Sequence, residues 1–141
     1  MSVVLRAHGA EFDVDAFVAG SPWSDINVYR RGEAKHPRSK PNGERLSKSG
    51  LDVAISEADF DAFRIQVEDA TRFLRCHATE IKRLVRFVGV EAVGLDFPIS
   101  RRDVFLQSDT FPADLVRLAG DCGIYLEQSH YPPTEDETDS E

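Results

Sequence analysis

Several things this chain lacks narrow its chemistry before anything it contains. In 141 residues there are only two cysteines, one tryptophan and one methionine. Cys76 and Cys122 sit in no CxxC pair, so no zinc ribbon or dithiol redox motif is available, and both are expected to be reduced, buried thiols. No apolar run approaches the ~20 residues that cross a bilayer. The start, Met1-Ser2-Val3-Val4-Leu5-Arg6, has no basic stretch leading into an apolar core, so an export signal is not read there. The expected localisation is therefore cytoplasmic. Gly9, Gly20 and Gly32 are isolated, and neither GxGxxG nor GxxxxGK[ST] occurs, which removes the common nucleotide-binding loops.

Catalytic groupings are equally thin. Ser24, Ser100, Ser108 and Ser129 lie in no Gly-flanked nucleophile elbow. Paired acids such as Asp13/Asp15 and Asp59/Asp61 read as helix caps and solvated faces. Cys76 and His77 are adjacent, so on a helix they would point about 100° apart and not share one ion. The sequence calls for no catalytic residue, no metal and no cofactor.

What is present is charge, unevenly placed. The formal net charge is −8, yet the last eight residues hold five acids and no base. The stretch from Arg30 to Lys48 holds seven bases against two acids, with Arg30, Arg31, Lys35, Arg38 and Lys40 as its leading cations. The acidity is thus mostly a tail, and a basic loop interrupts the body. Arg72, Arg75, Lys82, Arg83 and Arg86 would give a basic stripe for nucleic acid only on one continuous helix, and the pI near 5.0 argues against that partner. Pairing of these cations with Glu68, Asp69 and Glu80 is the plainer expectation.

Periodicity supplies the elements. Residues 2–8 alternate as a strand ending at Gly9, and Asp13 caps a short helix that Gly20 closes. Ile26 and Val28 mark a second strand. The Lys/Arg/Pro/Ser/Gly-rich segment 31–50 reads as a surface loop. Leu51, Val53 and Ile55 form a third strand. Ser56-Glu57-Ala58-Asp59 looks like a capping box, predicting a helix whose seam is Phe60, Phe63, Val67, Ala70 and Leu74. The seam can continue to Val88. A run beyond thirty residues is unusual in a small domain, so a break near Cys76–Thr79 is favoured. Val93, Leu95 and Phe97 predict a strand halted by Pro98, with a short strand over 103–108. A last helix follows Pro112 and is capped by Gly123, and a final strand runs to Tyr131. The expected fold is α+β. It has a mostly antiparallel sheet of four to six strands with helices on one face, a ferredoxin-like split βαβ elaborated at its C-terminus. It is one domain over 1–131, with 132–141 a disordered acidic tail.

The layout Gly20-Ser21-Pro22…Tyr29-Arg30-Arg31-Gly32-Glu33, closing with Phe111-Pro112…Leu115…Leu118-Ala119…Gly123-Ile124 and Ser129-His130-Tyr131, resembles a family of small bacterial proteins known only as a domain of unknown function. Leu51-Asp52 departs from that pattern, in which an aromatic commonly opens the strand after the loop. The resemblance implies a compact α+β fold and an intracellular bacterial protein, and it carries over no catalytic residue. Small proteins of this kind are sometimes immunity partners of toxins.

The functional expectation is a non-enzymatic protein-interaction domain of toxin-immunity or inhibitor type, its partner another protein. Asp25, Asp52, Asp96 and Glu127 fall on strands or their ends, where an open sheet face could present them. The alternative is a small-molecule-binding domain with Trp23, Tyr29, Tyr125 and Tyr131 lining a pocket at the sheet edge, and convergence of those four rings is what separates the two.

Overall fold

The computed structural model describes residues 2–35 and 43–132. Five strands form one sheet in the order β2-β3-β1-β4-β5: β1 (Val4–Gly9), β2 (Asn27–Tyr29), β3 (Ser49–Ala54), β4 (Ala92–Ser100) and β5 (Tyr125–Tyr131). All neighbours are antiparallel except β4 and β5. Two interleaved βαβ units, β1–α1–β2 and β3–α2–α3–β4, make the four-strand ferredoxin-like part. The helices here are α1 (Val14–Ala19), α2 (Phe63–Cys76) and α3 (Ala78–Arg86). A further crossover through α4 (Ala113–Cys122) adds β5 parallel to β4.

Alternation decides the two faces. Leu5, Ala7, Leu51, Val53, Leu95 and Phe97 are buried on one face, against Phe17 of α1, Val67, Ala70 and Leu74 of α2, Ile81 and Leu84 of α3, and Leu115 and Ala119 of α4. The period of two sends Arg6, Asp52 and Asp96 to the opposite face, which no helix among the described residues covers.

Local chemistry explains most boundaries. The Asp13 carboxylate accepts the Ala16 N–H at 3.1 Å and starts α1, while Gly123 at φ +80° takes the left-handed cap of α4. The α2/α3 break falls at His77, which serves both helices as a cap residue. Three expectations are corrected. The helix after β3 starts at Phe63, not at the Ser56 box. The Ser56 hydroxyl instead donates to Asp69 at 2.7 Å and accepts from the Ala58 N–H, which turns the chain before the helix. Pro98 does not halt β4, because the ladder with β1 ends at Asp96 and the missing N–H interrupts no pairing on that side. Residues 103–108 form a hydrogen-bonded loop and not a strand. The expected acidic tail beyond Pro132 lies outside the described residues.

Candidate site: an acidic open sheet face beside an apolar loop tip

The uncovered face is organised around Arg6 at the centre of β1. Its Nη1 lies 3.1 Å from Asp96 Oδ2 on β4, and its Nε lies 3.9 Å from Asp52 Oδ1 on β3. Asp96 is buried and also accepts the Ser129 hydroxyl of β5 at 2.6 Å, so its oxygens are satisfied. Asp52 is held less firmly: burial pushes its carboxyl above the ordinary range, and Arg6 only partly opposes that. Asp25 stands at the rim with a left-handed φ of +54°, a conformation that costs an L-residue free energy. With Asn27, Ala54, Phe60, Pro98 and Tyr131, these groups line a groove of about 410 Å³. Ser2, 2% exposed, also lines it, and its hydroxyl has no hydrogen-bond partner among the described residues. Glu127, level with Asp96 on β5, adds a fourth carboxylate to this face.

Two tyrosines flank the row because two glycines make room. A Cβ at Gly94 would come within 2.2 Å of the Tyr125 ring, and one at Gly50 within 2.3 Å of the Tyr29 hydroxyl. Both rings therefore lie flat over the backbone of a neighbouring strand. Burial raises both phenols above their ordinary value of 10.0, with Asp52 adding to the effect at Tyr29 and Glu127 at Tyr125.

The groove opens toward a loop of a different character. Residues 101–110 leave the C-terminal end of β4, where the Arg101 N–H donates to Tyr131 O at 2.8 Å. Gln107 braces the loop from inside. Its Oε1 accepts the Arg102 N–H at 2.8 Å, and its Nε2 donates to Ser100 O at 3.1 Å and to Asp109 Oδ2 at 2.9 Å. Gln128 of β5 donates to Asp109 O at 2.8 Å. Held in this frame, Val104, Phe105 and Leu106 stand in solvent, 53%, 106% and 75% exposed.

No family model, curated protein or solved structure matches the chain. Its function must be argued from these surfaces.

The four proposed pocket aromatics do not come together. Trp23 packs among Phe17, Phe73 and His77 on the helical side, where its Nε1–H donates to His77 Nδ1 at 3.2 Å. Tyr29, Tyr125 and Tyr131 are on the open face, with Tyr131 against Phe60 at 5.4 Å. The described cations of the basic loop are engaged locally. Arg30 pairs with Asp15 at 2.7 Å, Arg31 with Glu11 at 3.0 Å and Lys35 with Glu44 at 3.1 Å. Arg38 and Lys40 lie outside the described residues. Of the five helical cations, Arg72 pairs with Asp69 and Arg83 with Glu80 as expected, while Glu68 is taken by Arg64 instead. Cys122 is buried, but Cys76 is exposed, because it falls on the outer side of the last turn of α2.

The four strand acids share the open face, as alternation allows. The exposed loop tip departs from the short strand expected over 103–108, since Val104-Phe105-Leu106 reads as readily as a buried strand. Its signal was the cluster of Arg101, Arg102, Asp103 and Ser108 enclosing three apolar residues with no period-two partner. Among the described residues no helix is long and apolar enough to cross a membrane, and no three His, Cys, Asp or Glu side chains are grouped as metal ligands.

Proposed function

We propose that this chain is a non-enzymatic protein-interaction domain that recognises a protein with a basic surface, in the manner of an inhibitor or toxin-immunity protein. The observation that carries this reading is the braced tip Val104-Phe105-Leu106. Isolated apolar side chains are common on protein surfaces, but three in succession, held out by a hydrogen-bonded frame, forgo burial worth about 1.5–3 kcal/mol each. A partner that covers the tip recovers that free energy, and aromatic anchors of this kind dominate interface energetics. The neighbouring face supplies sign and selectivity. Asp25, Asp52, Asp96 and Glu127 stand there against Arg6, so an approaching cationic surface is attracted and an anionic one repelled.

The test is affinity capture from the cells that make the chain, run in parallel with the wild type and with Phe105→Asp. Phe105 is fully exposed, so the substitution leaves the core untouched. The wild type should retain a stoichiometric protein and the variant lose it by about tenfold or more. Equal retention by both, or no retained protein with the wild type, defeats the proposal.

A further inference from the structure

The sheet has two outer edges, and they are unlike. β2 is three residues long, and the chain beyond it closes on itself, with the Gly32 N–H donating to Leu46 O at 2.9 Å and Ala34 bridging Arg45. β5 runs for seven residues in unbroken register with β4, and no strand follows it among the described residues. The Arg101 N–H reaches Tyr131 O, so Tyr131 turns its backbone groups toward β4. Alternation points those of Tyr125, Glu127 and Ser129 the same way and turns the N–H and C=O of Leu126, Gln128 and His130 outward. None of these outward groups is engaged in a turn, loop or cap among the described residues.

Side chains along this edge indicate what suits it. Glu127 lies directly beside Asp96 of β4, and like charges side by side on adjacent strands destabilise a sheet. Arg6 at 3.1 Å and the Ser129 hydroxyl at 2.6 Å satisfy Asp96. Glu127 is exposed, and no described cation pairs with it. Tyr125 and Tyr131 on the same face are 39% and 44% exposed. On the other face Leu126 packs against the core and is only partly covered. Of the devices that blunt a sheet edge, β5 has only the charge of Glu127, which disfavours a second acidic strand and admits a cationic one.

We propose that β5 is a docking edge, where an extended segment of a basic partner protein adds a sixth strand. Its Lys or Arg lies opposite Glu127 and its apolar residues lie beside Leu126. The inference rests on the reading of this chain as a domain that binds a basic protein, and it names how that protein is held. Main-chain bonds supply the grip and Glu127 selects the sign of charge, while the net charge of −8 draws the same kind of partner. The loop that carries the apolar tip is tied to the same strand by Gln128 Nε2, which donates to Asp109 O at 2.8 Å, so one partner can engage both.

The test is amide hydrogen exchange on the full chain with a synthetic peptide of alternating valine and lysine, its glutamate counterpart serving as control. Glu127→Lys and His130→Pro are run beside the wild type. His130 is exposed and its N–H faces outward, so proline there removes an edge donor without breaking the ladder with β4. The lysine peptide should half-saturate the wild type below about 5 mM and slow exchange at Leu126, Gln128 and His130 by about tenfold or more. Glu127→Lys should weaken that peptide by about fivefold and take the glutamate peptide instead, which also shows that the variant is folded. His130→Pro should bind neither. Wild-type amides already protected without peptide, equal binding of the two peptides, binding that leaves these amides unprotected, or no half-saturation by about 5 mM overturns the inference. If the peptide fails yet Phe105→Asp still loses a captured protein, the tip holds the partner without the edge and the wider reading stands. If the peptide binds and capture fails, the edge stands and the tip reading falls.

Discussion

Asp52 shows how one residue can trade stability for a surface. Its side chain is 33% exposed and its nearest cation is at 3.9 Å, so it keeps much of the burial penalty and receives little compensation. Its folded-state pKa therefore lies above the ordinary 3.8. A carboxyl shifted upward favours the fold when protonated. That contribution is complete below the ordinary value and is lost as pH rises through the shifted one, so at neutral pH the ionised group weighs against folding. Asp52→Asn removes the burden while Arg6 keeps Asp96. The variant should show a small rise in urea midpoint at pH 7, and the difference from wild type should close as pH falls toward 3.8. A variant less stable than wild type at pH 7 would mean that attraction to Arg6 outweighs burial. The same substitution should weaken attraction of a cationic surface, which is the usual exchange between stability and a binding site.

At the scale of elements, α2 shows what a sequence pattern conveys and where it stops. The seam Phe63, Val67, Ala70 and Leu74 is packed as its spacing predicts, and the break expected near Cys76–Thr79 falls at His77. The helix start was misread because Ser56 can satisfy a backbone N–H in a turn as well as at a cap, and only the tertiary partner Asp69 decides between them. Gln66 was invisible for a related reason, since a polar residue beside the seam reads as solvated. It is fully buried, and its Nε2 donates to Asp59 O at 3.1 Å and Pro98 O at 2.9 Å, tying the segment before α2 to β4. Gln66→Leu keeps the volume but leaves the Pro98 carbonyl without this donor, while the Asp59 carbonyl keeps the Ala62 N–H and the unpartnered buried Gln66 Oε1 is removed. It should cost about 1 kcal/mol in urea unfolding, the penalty for one unmet acceptor being partly offset by added apolar burial. An unchanged midpoint would show that the gain from removing Oε1 and adding apolar burial matches the loss at Pro98. Pro98 carries the same lesson: a proline reads as a strand stop, but the cost depends on whether a neighbour needs its N–H, which the local sequence does not encode.

For the whole molecule, the order of strands and helices was legible because each crossover is long enough to hold a helix and the apolar period changes cleanly between elements. The functional surface was only partly legible. Period two put Asp52, Asp96 and Glu127 on a common face, but a chain does not reveal that no helix returns to cover it, nor that Phe105 points away from the core. Topology also decides whether the last unit is an addition or part of the body. The ferredoxin-like portion through β4 resembles a complete fold, yet Leu115, Ala119 and Cys122 of α4 and the following Ile124 are buried in the same core as Val67, Ala70 and Leu74 of α2. Phe97 of β4 packs on Phe111 just before α4, with ring centroids 4.9 Å apart. Ending the chain at Asp109 would remove β5 from the edge of β4 and strip one side of α2. Three or four large side chains at about 1.5–3 kcal/mol each approach the entire stability of about 5–15 kcal/mol that a domain of this size holds. The shortened chain should therefore show no cooperative urea transition and little helical circular dichroism. A cooperative transition in that chain would instead mark α4 and β5 as an appendage, and would place the loop tip on a lever that moves independently of the open face.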